Sequence, residues 1–73
     1  MTIYSLMNKV PTLLRRVALA RNAYSSYDPV YASFEDEAIA SLDTLLDIGY
    51  IDDDEHSRLW QELYHVFRMF KRH

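Results

Sequence analysis

Carboxylates are the most abundant side chains in this sequence that could bind a cation or transfer a proton, and they are concentrated in its middle. Ten of the 11 lie between residues 28 and 55, namely Asp28, Glu35, Asp36, Glu37, Asp43, Asp47, Asp52, Asp53, Asp54 and Glu55. The densest run, residues 52–55, lacks the alternating ligands and the central glycine of a calcium-binding loop. Carboxylates are also common at the start of a helix, where they favour the helix dipole. We therefore expect no metal ion and no cofactor.

The histidines give no better case for catalysis. Glu62 and His65 have the Glu-x-x-His spacing of di-metal helical bundles, but the sequence has no second such pair. Neither His56 nor His73 has a recognisable catalytic partner. The single glycine excludes a phosphate-cradling loop, and no serine is framed by the glycines of a nucleophile elbow. The sequence therefore predicts a protein that is not an enzyme.

Basic side chains flank the acidic segment on both sides. Arg15, Arg16 and Arg21 lie in an N-terminal segment without carboxylates, and Arg58, Arg68, Lys71 and Arg72 lie near the C-terminus. Either row could face phosphates, so a nucleic-acid-binding regulator that uses Arg15, Arg16 and Arg21 is the main alternative function. The sequence pI near 5.4 and the four acids of residues 52–55 at the start of the last helix argue against it.

The aromatic and apolar content points instead to protein partners. Apolar residues make up 49% of the chain, and more of them are predicted on helix surfaces than one small core requires. Tryptophan and tyrosine are frequent anchors of protein interfaces. The predicted contacts are Trp60, Tyr64, Phe67 and Leu19, together with Arg15 and Arg16 and the carboxylates of Asp36, Asp43 and Asp47.

Three helices account for the spacing of the apolar residues. The first is expected over residues 3–25, because apolar residues recur there at steps of three and four on both sides of Pro11. Proline inside this stripe predicts a kink, and the alternative is a main helix that begins with Asn8 as its cap. The second helix is expected over 29–48, with Gly49 ending it in a Schellman arrangement. The third is expected over 53–71, with Asp52 and Glu55 as a capping box.

Both predicted connections are short, so the most economical fold is an all-α antiparallel three-helix bundle that forms a single domain over residues 1–73. The charge pattern agrees with this topology. An acidic second helix would attract the two basic helices beside it, which helps to specify their arrangement. No apolar run is long enough to span a membrane, and the lack of an export signal favours the cytoplasm.

The predicted function is that of a small interaction module, such as a bacterial, plasmid or phage regulator or inhibitor. It would bind a protein partner through an aromatic and basic helical face and an acidic second helix, and would also form a homodimer. Association through Trp60, Tyr64, Phe67 and Leu19 would depend only weakly on salt. A third possibility is an acidic mimic of nucleic acid that occupies a basic protein groove, with Asp36, Asp43 and Asp47 on one side of the second helix and Glu35 beside them.

Overall fold

The computed structural model describes residues 1–71 and shows four α-helices and no strand in that range. The helices are α1 (Ile3–Lys9), α2 (Pro11–Ser25), α3 (Tyr31–Asp47) and α4 (Asp53–Phe70). The all-α class is confirmed. A three-helix bundle is not confirmed, because the N-terminal segment forms two helices instead of one kinked helix.

Val10 separates α1 from α2. Its backbone angles, φ −124° and ψ 88°, lie outside the helical region, as expected for a residue that precedes a proline. Pro11 is the first residue of α2, where the missing amide hydrogen costs no bond within the helix. The single kinked helix over 3–25 was therefore wrong, and so was the alternative cap at Asn8, since Val10 is the N-cap residue of α2.

The ends of α2 and α3 are both Schellman motifs. At the end of α2 the amide of Asp28 donates to the carbonyl of Ala23 at 2.9 Å, and Tyr27 adopts a left-handed φ of 55°. At the end of α3 the amide of Tyr50 donates to the carbonyl of Leu45 at 2.9 Å, and Gly49 has a φ of 78°. The Gly49 stop is confirmed.

The starts of α3 and α4 differ in how well the sequence predicted them. A turn at residues 29–30 delays α3 to Tyr31, with the Asp28 carboxylate accepting from the Val30 amide at 3.0 Å. The capping box of α4 is confirmed, since Asp52 accepts from the Glu55 amide at 2.8 Å and Glu55 accepts from the Asp52 amide at 3.4 Å. The last helix ends at Phe70 rather than at residue 71.

One apolar core joins all four helices into a molecule of about 35 × 18 × 18 Å. Its most deeply buried side chains are Ile3, Leu6, Leu13, Leu42, Leu59, Leu63 and Phe67. Helix α3 runs antiparallel to α4, because the Asp43–His56 hydrogen bond and the Glu35–Lys71 ion pair join them in opposite order along the chain. The short α1 is held to α4 by a 2.9 Å hydrogen bond from the Ile3 amide to a carboxylate oxygen of Glu62.

Candidate partner-binding surface

Trp60 and Tyr64 form an exposed stacked pair on α4. They are one helical turn apart, so their rings lie side by side on the same face. The ring centroids are 5.5 Å apart and the ring planes differ by 6°. Trp60 is 38% exposed and Tyr64 is 47% exposed, so this stack offers a large apolar surface to solvent.

The stack lies on the side of α4 that adjoins α3. His56 and Lys71 are on the same side of α4 as Trp60 and Tyr64, since all four fall within about one quarter of the helix circumference at 3.6 residues per turn. His56 and Lys71 reach across to Asp43 and Glu35 of α3, at 2.7 Å and 3.7 Å. The aromatic pair is therefore next to the outer edge of α3.

That outer edge carries three of the predicted carboxylates. Asp36, Asp43 and Asp47 are all exposed and lie on one side of α3, the side that includes the Asp43–His56 contact. Among residues 1–71, neither Asp36 nor Asp47 forms an ion pair. We call Trp60, Tyr64, Asp36, Asp43 and Asp47 together the acidic–aromatic surface.

Asp47 is placed where the helix itself does not favour it. It is the last residue of α3, and the exposed carbonyls there give the helix end a partial negative charge. No basic residue lies in the last turn to compensate. The carboxylate thus costs helix stability at its own position, which is typical of a residue retained for another purpose.

Of the four predicted apolar contacts, Phe67 belongs to the interior and Leu19 lies on another helix. Phe67 is only 1% exposed and packs with its ring 6.2 Å from that of Phe70, so it offers no surface to a partner. Its assignment to the binding face is corrected here, because the apolar side of α4 is wide enough to include it in the core. Leu19 is half-buried on α2, away from the stack on α4.

The arginines of α2 do not form one row. The Arg16 guanidinium donates to the Ser41 hydroxyl at 2.6 Å and to the Glu37 carbonyl at 3.1 Å, so it holds α2 against α3. Arg15 is exposed, and Arg21 lies beside Tyr4, Met69 and Phe70 on a different side of the helix. The three arginines lie about 100° or more apart around α2, so one phosphate backbone would not contact all of them together.

The Glu62–His65 pair is used within the fold. Glu62 accepts hydrogen bonds from the Ile3 amide and from the Arg58 side chain, which occupies both carboxylate oxygens. His65 is exposed. Within residues 1–71 no three metal-ligating side chains converge. His73 and Arg72 lie outside the described residues.

Two further features were only partly visible in the sequence. An apolar groove of about 380 Å³ lies where α1 and α2 meet α4, and the exposed side chains of Tyr4 and Leu14 line it. A neighbouring cavity is lined by Tyr4 and the exposed Met69. A second cavity, of about 450 Å³, lies between Tyr24, Tyr31 and Phe70 at the end of the molecule where α2 meets α3. Its tyrosines lie close together in the sequence, but the participation of Phe70 and Lys71 depends on how α4 packs.

No protein-family model, curated protein or solved structure matches this chain. Within residues 1–71, the helices are too short or too polar for any of them to cross a bilayer.

Proposed function

We propose that this chain is a non-enzymatic interaction module that binds a protein partner through the acidic–aromatic surface. The observation that carries the proposal is the exposed Trp60–Tyr64 stack beside Asp36 and Asp47, which form no ion pair within residues 1–71. A stacked aromatic pair buries a large area at a small cost in side-chain entropy when a partner covers it. A role as a cytoplasmic regulator or inhibitor would require only such binding.

The charges around the stack define the partner's chemistry. Asp36 and Asp47 have no cationic partner within residues 1–71, so a bound segment with lysine or arginine beside apolar side chains would complement both parts of the surface. An amphipathic helix with basic flanks has this composition. Binding of such a segment would weaken with salt, because its ionic contacts are at an exposed rim.

The same charges argue against a dimer held by this surface alone. A twofold contact would place the carboxylates of one α3 against those of the other copy, which is repulsive. A homodimer that uses Trp60 and Tyr64 should therefore become tighter as salt increases, in contrast to the weak salt dependence expected from the sequence. Sedimentation at low and high salt distinguishes this self-association from the binding of a basic partner, which has the opposite salt dependence.

The binding test uses a purified chain and a synthetic helical peptide of leucine and lysine without aromatic residues. Wild-type protein should bind it, and a peptide with glutamate in place of lysine should bind at least tenfold more weakly, since like charges then meet. Asp36→Asn with Asp47→Asn should weaken binding of the lysine peptide about threefold to tenfold. Calorimetry measures each affinity.

The matched control is Glu37→Gln with Asp54→Asn, which changes the net charge equally at two exposed positions on other sides of α3 and α4, about a quarter turn or more from the surface residues of the same helix. This control should leave the affinity for the lysine peptide nearly unchanged. Equal losses from both double variants would mean that only net charge matters, and the proposed surface would be wrong.

The acidic-mimic alternative rests on Asp36, Asp43 and Asp47 sharing one edge of α3. It differs in its use of the aromatic stack. A mimic that fills a basic groove with carboxylates does not need Trp60, so Trp60→Ala should leave the affinity for the lysine peptide unchanged. Under the proposed function the same substitution weakens binding about tenfold or more.

A further inference from the structure

The cavity at the α2–α3 end of the molecule is walled by aromatic rings. Tyr24 and Tyr31 stack with centroids 4.3 Å apart, and the Phe70 ring lies 6.1 Å from Tyr24. Tyr27 and Pro29 complete the lining at the loop between the helices. Aromatic walls of this kind attract cations through the negative faces of their rings.

The chain's own ammonium group already lies at this cavity. The Lys71 nitrogen is 5.8 Å from the Tyr24 ring centroid and 5.7 Å from that of Tyr31, both near the outer limit of a cation–π contact. It is 3.7 Å from a carboxylate oxygen of Glu35, which is longer than a hydrogen bond. Lys71 follows the last residue of α4 and is exposed. Its ammonium group is therefore held loosely.

A carboxylate lies close to the Lys71 ammonium, just outside the residues that line the cavity. The Glu35 side chain is only 14% exposed, so its charge acts in a partly desolvated environment. The Tyr24 hydroxyl is buried and has no hydrogen-bond partner among the described residues. Burial, with a further contribution from nearby Glu35, raises the pKa of Tyr24, so the phenol stays neutral. A partly buried negative charge near Tyr24 and Lys71 favours a cationic ligand.

Tyr27 adds an independent sign of function at the cavity mouth. Its left-handed backbone is unfavourable for a residue with a side chain, and glycine is the usual choice at this position of a Schellman motif. Its ring is 87% exposed, so no burial compensates for the strain. An exposed aromatic ring kept at a strained position is explained if it covers a ligand.

We infer that this cavity is a binding site for an alkylammonium group, such as a quaternary ammonium ion or a methylated lysine side chain, and that Lys71 is its internal occupant. The ligand's cation takes the place of the Lys71 ammonium beside Glu35, while its methyl groups contact Tyr24, Tyr31 and Phe70. Tyr27 closes over the outer side. This site is separate from the acidic–aromatic surface and does not depend on the function proposed for it.

The test is a titration of the full chain with small ligands, in which NMR of the tyrosine ring protons monitors binding. The probes are choline, its uncharged carbon isostere dimethylbutanol, and a short peptide that contains one trimethyl-lysine. Lys71→Gln should bind choline about tenfold more tightly than wild type, because the tethered competitor is removed. Glu35→Gln should weaken choline binding severalfold and leave dimethylbutanol binding unchanged, since only the charge is lost.

Tyr27→Gly provides a variant that keeps the fold while removing one wall. It should bind choline severalfold more weakly although the backbone is relaxed. Tighter binding of the peptide than of choline would identify a protein side chain as the ligand. Tighter binding of choline would identify a free small molecule. Both results support the ammonium site. The inference is overturned if choline shifts no tyrosine resonance in folded Lys71→Gln protein, or if dimethylbutanol binds as tightly as choline.

Discussion

At the scale of single residues, Tyr27 and Gly49 occupy the same position in two Schellman motifs. Both have positive φ angles, 55° and 78°. Glycine adopts this conformation without steric strain, whereas a residue with a Cβ atom pays about 1–2 kcal/mol. The backbone conformation therefore explains the glycine at position 49. It does not explain the tyrosine at position 27.

We expect Tyr27→Gly to raise the free energy of unfolding by about 1 kcal/mol, because it removes the left-handed strain and loses almost no buried area. Chemical denaturation of both proteins measures the change. Gly49→Ala is the matched control at the other motif. It should lower stability by about 1 kcal/mol, and since no atom lies within 4 Å of the added Cβ, that loss would come from the backbone alone. A less stable Tyr27→Gly variant would show that the ring itself stabilises the fold.

Asp47→Asn separates stability from binding at one residue. Removing the charge from the end of α3 should stabilise the protein by about 0.3–1 kcal/mol. The same change should weaken binding of the lysine peptide about twofold to threefold, as for one exposed ionic contact. Thermal unfolding and calorimetry on the same preparation measure both effects. If the variant gains stability with no loss of affinity, Asp47 is not part of the binding surface.

At the scale of helices, the division of the N-terminal segment decides how α1 is held. Because the helical conformation is interrupted at Val10, α1 is not stabilised as an extension of α2. Its seven residues are too few to be stable alone, so it depends on packing of Ile3, Leu6 and Met7 and on the bond to Glu62. This dependence makes α1 the element most sensitive to changes in α4.

Glu62→Ala should therefore loosen α1 selectively. The buried end of α1 loses the acceptor for the Ile3 amide, which should cost about 1–3 kcal/mol. Hydrogen exchange of the amides in residues 3–9 should accelerate by more than that of residues 31–47. The control is Gln61→Ala, at an exposed neighbouring position. Uniform acceleration across all helices would mean that Glu62 supports the whole fold and not α1 in particular.

The sequence predicted helix ends where a local signal is strong. Gly49 and the Asp52–Glu55 box each act through residues close in the chain, so the stop and the cap could be read directly. The apolar stripe across Pro11 was misleading. The periodicity of apolar residues shows which side of a segment faces the core, and it does not show whether that segment forms one helix or two.

The candidate surface was predicted only in part, because helix spacing shows which residues share a side but not which sides are covered. Trp60 and Tyr64 lie beside the core stripe of α4, and spacing alone placed them together. Spacing does not reveal how much of a helix its neighbours cover, so Phe67 was assigned to the same exposed face. The bond between Arg16 and Ser41 joins residues 25 positions apart and has no signal in either helix.

At the scale of the whole molecule, attraction between the acidic helix and its basic neighbours contributes less to the topology than the sequence predicted. Within residues 1–71, one hydrogen bond (Asp43–His56) and one ion pair (Glu35–Lys71) join α3 to α4 and the residue after it. Arg16 meets α3 through a hydroxyl and a carbonyl instead of a carboxylate. Exposed ion pairs are worth about 0–1 kcal/mol each, so the apolar core carries the architecture. Asp36, Glu37 and Asp47 of α3 are exposed and form no ion pair in the part of the chain that the structure describes.

The central claim is that a partner covers the Trp60–Tyr64 stack, and the emission of Trp60 tests it directly. Trp60 is the only tryptophan in the chain, so its fluorescence reports on this surface alone. Addition of the leucine–lysine peptide should shift the emission of wild-type protein to shorter wavelength and reduce quenching by acrylamide at least twofold, because the half-exposed ring becomes buried. The glutamate peptide serves as the control. Binding of the lysine peptide with unchanged Trp60 emission and quenching would place the contact elsewhere and contradict the proposed function.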